Sequence, residues 1–283
     1  MTDSAEDTIG IIDGNGGQIP ALGFGTWDLR GESAARSVEY ALETGYRHVD
    51  TAEMYNNEEA VGKGIKNAPV DREDIFLTTK VWHNHLEPET LKQTLEDSLR
   101  RLSTEYVDLL LIHWPKPGLD HEEPLTAMAE LREAGKVKHV GVSNFTVDQM
   151  REAQDVSPAP IFCNQVEYHP YLSQAPVLDY CQENDIVLTA YCPLARGDVF
   201  DDETVQDIAM AHGKNPSQVV LRWLLQQDNV AAIPRSGNKA HIRENFHIFD
   251  FELSEDEMKR ISALEQGHRI CEGVGVPSPD WDT

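Results

Sequence analysis

Eight short apolar runs rich in β-branched residues recur along the 283-residue chain, and their spacing constrains the fold more than any other feature. They are Ala21–Gly25, Tyr46–Asp50, Ile75–Lys80, Val107–His113, Val137–Val142, Ile161–Glu167, Ile186–Tyr191 and Val230–Pro234, with successive starts 24 to 44 residues apart. Each interval fits one strand–helix unit. The segments between them have a helical period: Leu91, Leu95, Leu99 and Leu102 form one apolar stripe, and Ala34, Val38, Ala41 and Leu42 another. Gly45 and Gly135 read as helix ends, and Asn215-Pro216 as a cap followed by a first-turn proline. The long last interval has room for two helices.

Strands of nearly continuous hydrophobicity alternating with helices, in a chain not far above ~250 residues, predict an α/β fold of the (β/α)8 TIM-barrel type. An open doubly wound sheet is the alternative. Thr8–Ile12 and Gln18–Pro20 flank Asp13-Gly14-Asn15-Gly16-Gly17, which predicts an N-terminal β-hairpin capping the barrel bottom. No linker or composition shift interrupts the chain, so residues 1–283 read as a single domain.

Acidic residues number 49 against 24 basic ones, a net charge of −25. Such a surface repels phosphate backbones and anionic headgroups, which argues against nucleic acid and membrane partners. The N-terminus lacks the pattern of a signal peptide and no apolar run approaches ~18 residues, so a cytoplasmic protein is expected. Four cysteines without a C-x-x-C pair suit a reducing compartment. Acidic clusters such as Asp201 to Glu203 and Glu255 to Glu257 read as solvated faces and resemble those of proteins from salt-accumulating halophiles, an ordinary acidic cytosolic protein being the alternative.

Several catalytic signatures are missing. Gly23-Phe24-Gly25 and Gly62-Lys63-Gly64 do not complete G-x-G-x-x-G, and His121-Glu122-Glu123 lacks the second histidine of a zinc-protease helix. No metal site is expected. What stands out is that consecutive apolar runs end in ionisable groups: Asp50, Lys80 and His113. Each alone reads as a strand end reaching water. In a barrel all three would meet at one mouth, where unpaired burial is costly and mutual pairing is implied. Tyr55 follows in the loop after Asp50; its phenol can donate a proton, with Lys80 favouring the phenolate and Asp50 holding the lysine.

At these residues the chain resembles the aldo-keto reductases. Gly45-Tyr46-Arg47-His48-Val49-Asp50 through Tyr55, Lys80-Val81-Trp82 and Leu111-Ile112-His113-Trp114-Pro115 look like that family's catalytic motifs. The likeness continues in Gly141-Val142-Ser143-Asn144-Phe145, Asn164-Gln165-Val166-Glu167-Tyr168-His169-Pro170, Ala190-Tyr191-Cys192-Pro193-Leu194 and Ile233-Pro234-Arg235-Ser236. It implies a barrel that binds an extended nicotinamide dinucleotide without a glycine-rich fingerprint. It also implies a tetrad of Asp50, Tyr55, Lys80 and His113, with Tyr55 the proton donor, Lys80 lowering its pKa and His113 orienting the carbonyl.

By the same resemblance, Ser143, Asn144 and Gln165 would hold the nicotinamide amide and Tyr191 would stack on its ring. Gly25, Thr26, Trp27, Asp50 and Cys192 would border the cofactor, Leu194, Arg196 and Gly197 would follow the pyrophosphate, and Glu244 and Asn245 would meet the adenine. Arg235, with Ser236, would grip the 2′-phosphate of NADP(H). His241 stands where the family usually has arginine, and an ordinary imidazole is mostly uncharged at neutral pH, so NAD(H) use is also expected. Trp27, Met54, Tyr55, Trp82, His113 and Trp114 would wall an apolar pocket for a small-molecule carbonyl, while Trp223 reads as core. The resemblance is to compact microbial members, which include 2,5-diketogluconate reductases, and it implies a monomer that reduces aldehydes or ketones. A cofactor-binding regulatory barrel with little turnover is the alternative. The tail from Gly267 is expected to fold over the mouth.

The charge imbalance carries its own test. Molar salt shortens the Debye length to ~3 Å and removes most self-repulsion, so stability and activity are expected to rise as KCl increases from 0.1 M to ~3 M; a flat thermal-melt series would refute the halophilic reading.

Overall fold

Eight parallel strands curl into one sheet in chain order. In the computed structural model, which describes residues 10–271 and 279–281, they are β3 (Phe24–Gly25), β4 (His48–Asp50), β5 (Phe76–Val81), β6 (Val107–Ile112), β7 (Val137–Ser143), β8 (Ile161–Glu167), β9 (Val187–Tyr191) and β10 (Val230–Ala232). The sheet closes rather than staying open. Leu22 bridges Ala232 in parallel, the Gly23 N–H donates to the Ala232 carbonyl and the Ala232 N–H to the Ala21 carbonyl, both at 2.8 Å. Closure explains why the first strand is shorter than its apolar run. It also explains Gly25, where a Cβ would sit 2.6 Å from the Ile233 carbonyl oxygen.

The helices form where the stripes predict. α1 (Gly31–Thr44), α2 (Glu58–Asn67), α3 (Pro88–Leu102), α4 (Glu122–Glu133), α5 (Val147–Val156) and α6 (Ala175–Glu183) each follow one strand. α7 (Glu203–His212) and α8 (Pro216–Leu225) share the long interval, and α9 (Lys239–Phe246) and α10 (Glu255–Ser262) complete the ring. The leucines of α3 are all buried, each contributing roughly 2 kcal/mol of burial. Asn215 caps α8, its side chain accepting from the Gln218 N–H, with Pro216 in the first turn.

Alternation along each strand separates two cores. Leu77 and Val81 of β5, Leu110 and Ile112 of β6 and Leu188 and Ala190 of β9 pack outward in the sheet–helix core. Phe76, Leu109, Leu111, Phe162, Cys163, Val187 and Ala231 fill the lower barrel together with Ile19. That last residue belongs to the hairpin, whose strands β1 (Ile11–Gly14) and β2 (Gly17–Pro20) pair antiparallel with Gly14 opposite Gly17. The strands run further than the spacing predicts, leaving Asn15 and Gly16 as the turn, with Gly16 at φ 84°; Thr8 lies outside the described residues. A Cβ on Gly14 would meet Phe162 at 2.9 Å and Val187 at 2.8 Å, so the hairpin is pressed against the barrel's lower end.

His48 is buried one layer above this plug, 5.3 Å from the Phe76 ring and 3.3 Å from the Thr78 hydroxyl. Burial pulls its imidazole down to about 4 against the pull of Asp50. The unfolded chain therefore takes up this proton near pH 6.5 while the native state resists until about pH 4, so stability falls with pH across that window, by about 3 kcal/mol from this group. Urea denaturation of His48→Gln is expected to show a shallower loss between pH 7 and 4; an unchanged slope would refute the assignment.

Candidate active site

Above the lower core the inward positions turn polar. In β5 the inward residues Phe76 and Thr78 are followed by Lys80, whose side chain is fully buried. Its Nζ donates to Asp50 Oδ1 at 2.5 Å, to the Thr51 carbonyl at 2.9 Å and to Tyr55 Oη at 3.3 Å. The other carboxylate oxygen, Asp50 Oδ2, accepts from Gln165 Nε2 at 2.8 Å. Burial works against charge on the lysine, but Asp50 and Tyr55 outweigh it and raise its pKa above the ordinary value. The ammonium is thus a fixed positive charge beneath a phenol.

Tyr55 is held from several sides. It ends a 3-10 turn, Glu53–Tyr55, that brings it back over the strand end. The Glu53 carboxylate accepts from the Trp82 N–H at 2.5 Å and pairs with His85, tying this turn to the loop after β5. Arg30 donates to the Tyr55 carbonyl at 3.2 Å. Burial pushes the phenol up and Lys80 draws it back down, but the net direction is upward. Lys80 acts in the expected direction, but desolvation exceeds its pull, and the phenol keeps its proton.

His113 stands across from Tyr55, rings 5.6 Å apart and edge to face, with Trp82 on its other side at 5.0 Å. Burial, the Lys80 charge and His83 hold its imidazole well below the ordinary range, so it is neutral. A hydrogen-bonded chain continues from there around the mouth. Asn144 Nδ2 donates to the His113 carbonyl at 3.0 Å, and Asn144 Oδ1 accepts from Tyr191 Oη at 2.8 Å. Ser143 Oγ donates to the Gln165 carbonyl at 2.7 Å. Strand register places Gln165 opposite Ser143 and Glu167 opposite Tyr191, so the polar ring is a property of the barrel's pairing.

These groups floor a cavity of about 790 Å³ that extends from Met54 and Trp114 past Tyr191 to Asn245. Every residue named from the sequence as cofactor or substrate contact lines it except Ser143, beneath Asn144, and Trp82, behind His113; Lys80 lies below the floor. Arg235 is at the far end, where Nη2 pairs with Asp28 at 3.2 Å and Nε donates to the Trp27 carbonyl at 3.0 Å. Arg196 lies 5.3 Å over the Trp27 ring. Asp28, Asn144, Cys192, Ala195 and Arg196 all adopt left-handed backbone with φ between 47° and 65°, a concentration of strain at this rim.

Sequence reasoning missed several contributors. Asn57 joins two rim loops, donating to the Thr26 and Leu29 carbonyls at 2.8 and 3.0 Å while accepting from Thr51 Oγ1 at 2.8 Å. Glu167, buried beside His169, accepts from the backbone N–H groups of Ile270 and Cys271 at 2.6 and 3.0 Å and so brings the segment after α10 to the rim. Cys271, Phe200, Asn215 and Ser217 line the cavity as well. Nothing in the sequence marks these as site residues: Asn215 reads as a helix cap, and Asn57 and Glu167 depend on partners distant in the chain. The tail expected over the mouth reaches it at Cys271; its continuation through 272–278 lies outside the described residues. Among the described residues, no cluster of three or more metal-ligating side chains occurs and no helix is long and apolar enough to cross a membrane.

A barrel with a lysine-backed tyrosine and a neutral histidine at its C-terminal mouth, opening into one long groove, defines an oxidoreductase of the barrel type. The chain belongs to the Aldo/keto reductase family, whose sequence model matches residues 21–266. It is 40% identical over 276 residues to the methylglyoxal reductase DkgA of Escherichia coli K12, covering 96% of each chain. With the glyoxal reductase of Bacillus subtilis it shares 42% identity over 282 residues, 99% of each. Among solved structures, one provisionally described as a 2,5-diketo-D-gluconic acid reductase B superposes with a TM-score of 0.94 at 44% identity, covering 96% of this chain and 97% of that one.

The buried ion pair sets a stability prediction. Asp50→Ala strands the Lys80 ammonium and is expected to cost about 3–5 kcal/mol in urea unfolding, most of it recovered in the double variant Asp50→Leu/Lys80→Met. Wild-type stability in the single variant would show that Lys80 is not charged in the fold.

Proposed function

We propose that the protein is an NADPH-dependent reductase of small aldehydes and ketones, reactive dicarbonyls such as methylglyoxal and glyoxal among them, with keto-sugar acids a second substrate class. The observation that carries this is the triple hydrogen bonding of Lys80, beneath the floor of the cavity, to Asp50, Thr51 and Tyr55.

The groove suits an extended dinucleotide. At one end Ser143, Asn144 and Gln165 would hold the nicotinamide carboxamide and the Tyr191 ring would lie against it. At the other, Arg235 would exchange its exposed Asp28 partner for a 2′-phosphate, a dianion that guanidinium binds bidentately, with Ser236 beside the start of α9 adding a donor. Leu194, Arg196 and Gly197 lie between, on the pyrophosphate path. When bound, the cofactor supplies hydride to the carbonyl carbon. The chain's own residues do the rest. Tyr55, its phenol still protonated, donates to the carbonyl oxygen and then gives up its proton as the alkoxide develops. Lys80 stabilises the phenolate left behind, and Asp50 keeps the lysine charged and in place. His113, neutral, offers a hydrogen bond that aims the carbonyl oxygen at Tyr55, while Trp27, Met54, Trp82 and Trp114 exclude water.

Purified protein should oxidise NADPH with methylglyoxal, glyoxal, aromatic aldehydes or keto-sugar acids, and NADH less efficiently through loss of the Arg235 contact. Cofactor binding without turnover on any of these carbonyls would replace the reductase with a regulatory barrel. Tyr55→Phe is expected to keep NADPH binding, read by cofactor fluorescence, and to lose about 10²- to 10⁴-fold in kcat; near-wild-type turnover would remove Tyr55 from the acid's role.

A further inference from the structure

Two of the four cysteines meet at the rim of the cavity. Cys192 follows Tyr191, the end of β9, and Tyr191 is registered against Glu167 of β8. The Glu167 carboxylate in turn holds the backbone N–H of Cys271 at 3.0 Å. Strand pairing and a carboxylate clasp thus bring residues far apart in the chain together, and each thiol shifts the other's titration. Both line the cavity, within reach of small molecules. Cys163 and Cys181 differ: both are buried, the first among the lower barrel residues and the second in the sheet–helix core.

We propose that Cys192 and Cys271 form a thiol–disulfide site, which a small-molecule disulfide oxidises to a bond fastening the segment after α10 to the barrel mouth. The steps balance without a metal. The Cys192 thiolate attacks one sulfur of the oxidant and releases its other half as a thiolate. Cys271 then loses its proton and attacks the Cys192 sulfur, expelling the second half. Two protein thiols become one disulfide, and the two electrons reduce the oxidant to two thiols. The asymmetry of the pair suits these roles. The neighbouring Cys271 thiol outweighs burial and lowers the Cys192 pKa, with Arg196 assisting, whereas Cys192 and burial raise Cys271. Burial pushes Cys163 up to about 12 and makes it a poor nucleophile. The segment is anchored at the mouth: besides the Glu167 clasp, the Arg269 guanidinium lies 4.0 Å over the Trp281 ring, which itself packs against the core. The proposal does not depend on which cofactor or carbonyl the groove takes.

The test is incubation of the full-length protein with oxidised glutathione, followed by thiol titration in denaturant and peptide mapping. Cleavage at acidic residues is needed, because trypsin leaves Cys163, Cys181 and Cys192 on one peptide. The expected result is a fall from four titratable thiols to two, loss of the mass of two hydrogens, a Cys192–Cys271 cross-linked peptide, and full reversal by dithiothreitol. Cys271→Ser should instead stop at a glutathione adduct on Cys192, and Cys163→Ser should still form the cross-link. Retention of four thiols, a stable adduct on Cys192 in the wild type, or a cross-link through Cys163, Cys181 or a second chain would each overturn it.

Discussion

The Lys80–Asp50 pair is the interaction on which the mouth of the barrel depends. Neither group could be buried alone without a cost of several kcal/mol. Each is therefore surrounded by the partners that make its burial tolerable, and those partners are the site. Thr51 and Tyr55 accept the two remaining hydrogen bonds of the ammonium; Gln165 donates to the second carboxylate oxygen. Gln165 is also bonded through its backbone to Ser143 and Asn144, and Asn144 to Tyr191 and His113. A requirement of electrostatics thus orders groups from six loops and strands. Tyr55 feels the same requirement: the lysine offsets part of the desolvation that raises its phenol.

The periodicity that made the fold legible is of the kind a linear chain displays well. Eight apolar runs and the leucine stripe of α3 are local patterns, and each became the element it predicted. The meeting of Asp50, Lys80 and His113 was legible because they stand at the ends of consecutive strands, so the arithmetic of a barrel brings them together. What was hidden depends on partners remote in the chain. Asn57 looks like any loop asparagine until Thr26 and Leu29 lie beside it, and Glu167 reads as a strand end until the chain returns a hundred residues later. The rim's strain was equally invisible: Asp28, Cys192, Ala195 and Arg196 take a backbone conformation that glycine would advertise and they do not. The pull of Lys80 on Tyr55 was legible and the larger effect of desolvation was not, because charge is visible in a sequence and burial is not.

The hairpin beneath the barrel has a consequence for traffic. With Ile19 packed among Phe76, Phe162 and Val187, the lower end is filled, and among the described residues the cavity above is reached from the mouth and not through the barrel. Packing closes any passage through the axis of the barrel, so a molecule that enters or leaves the groove does so at the face that carries Tyr55 and His113.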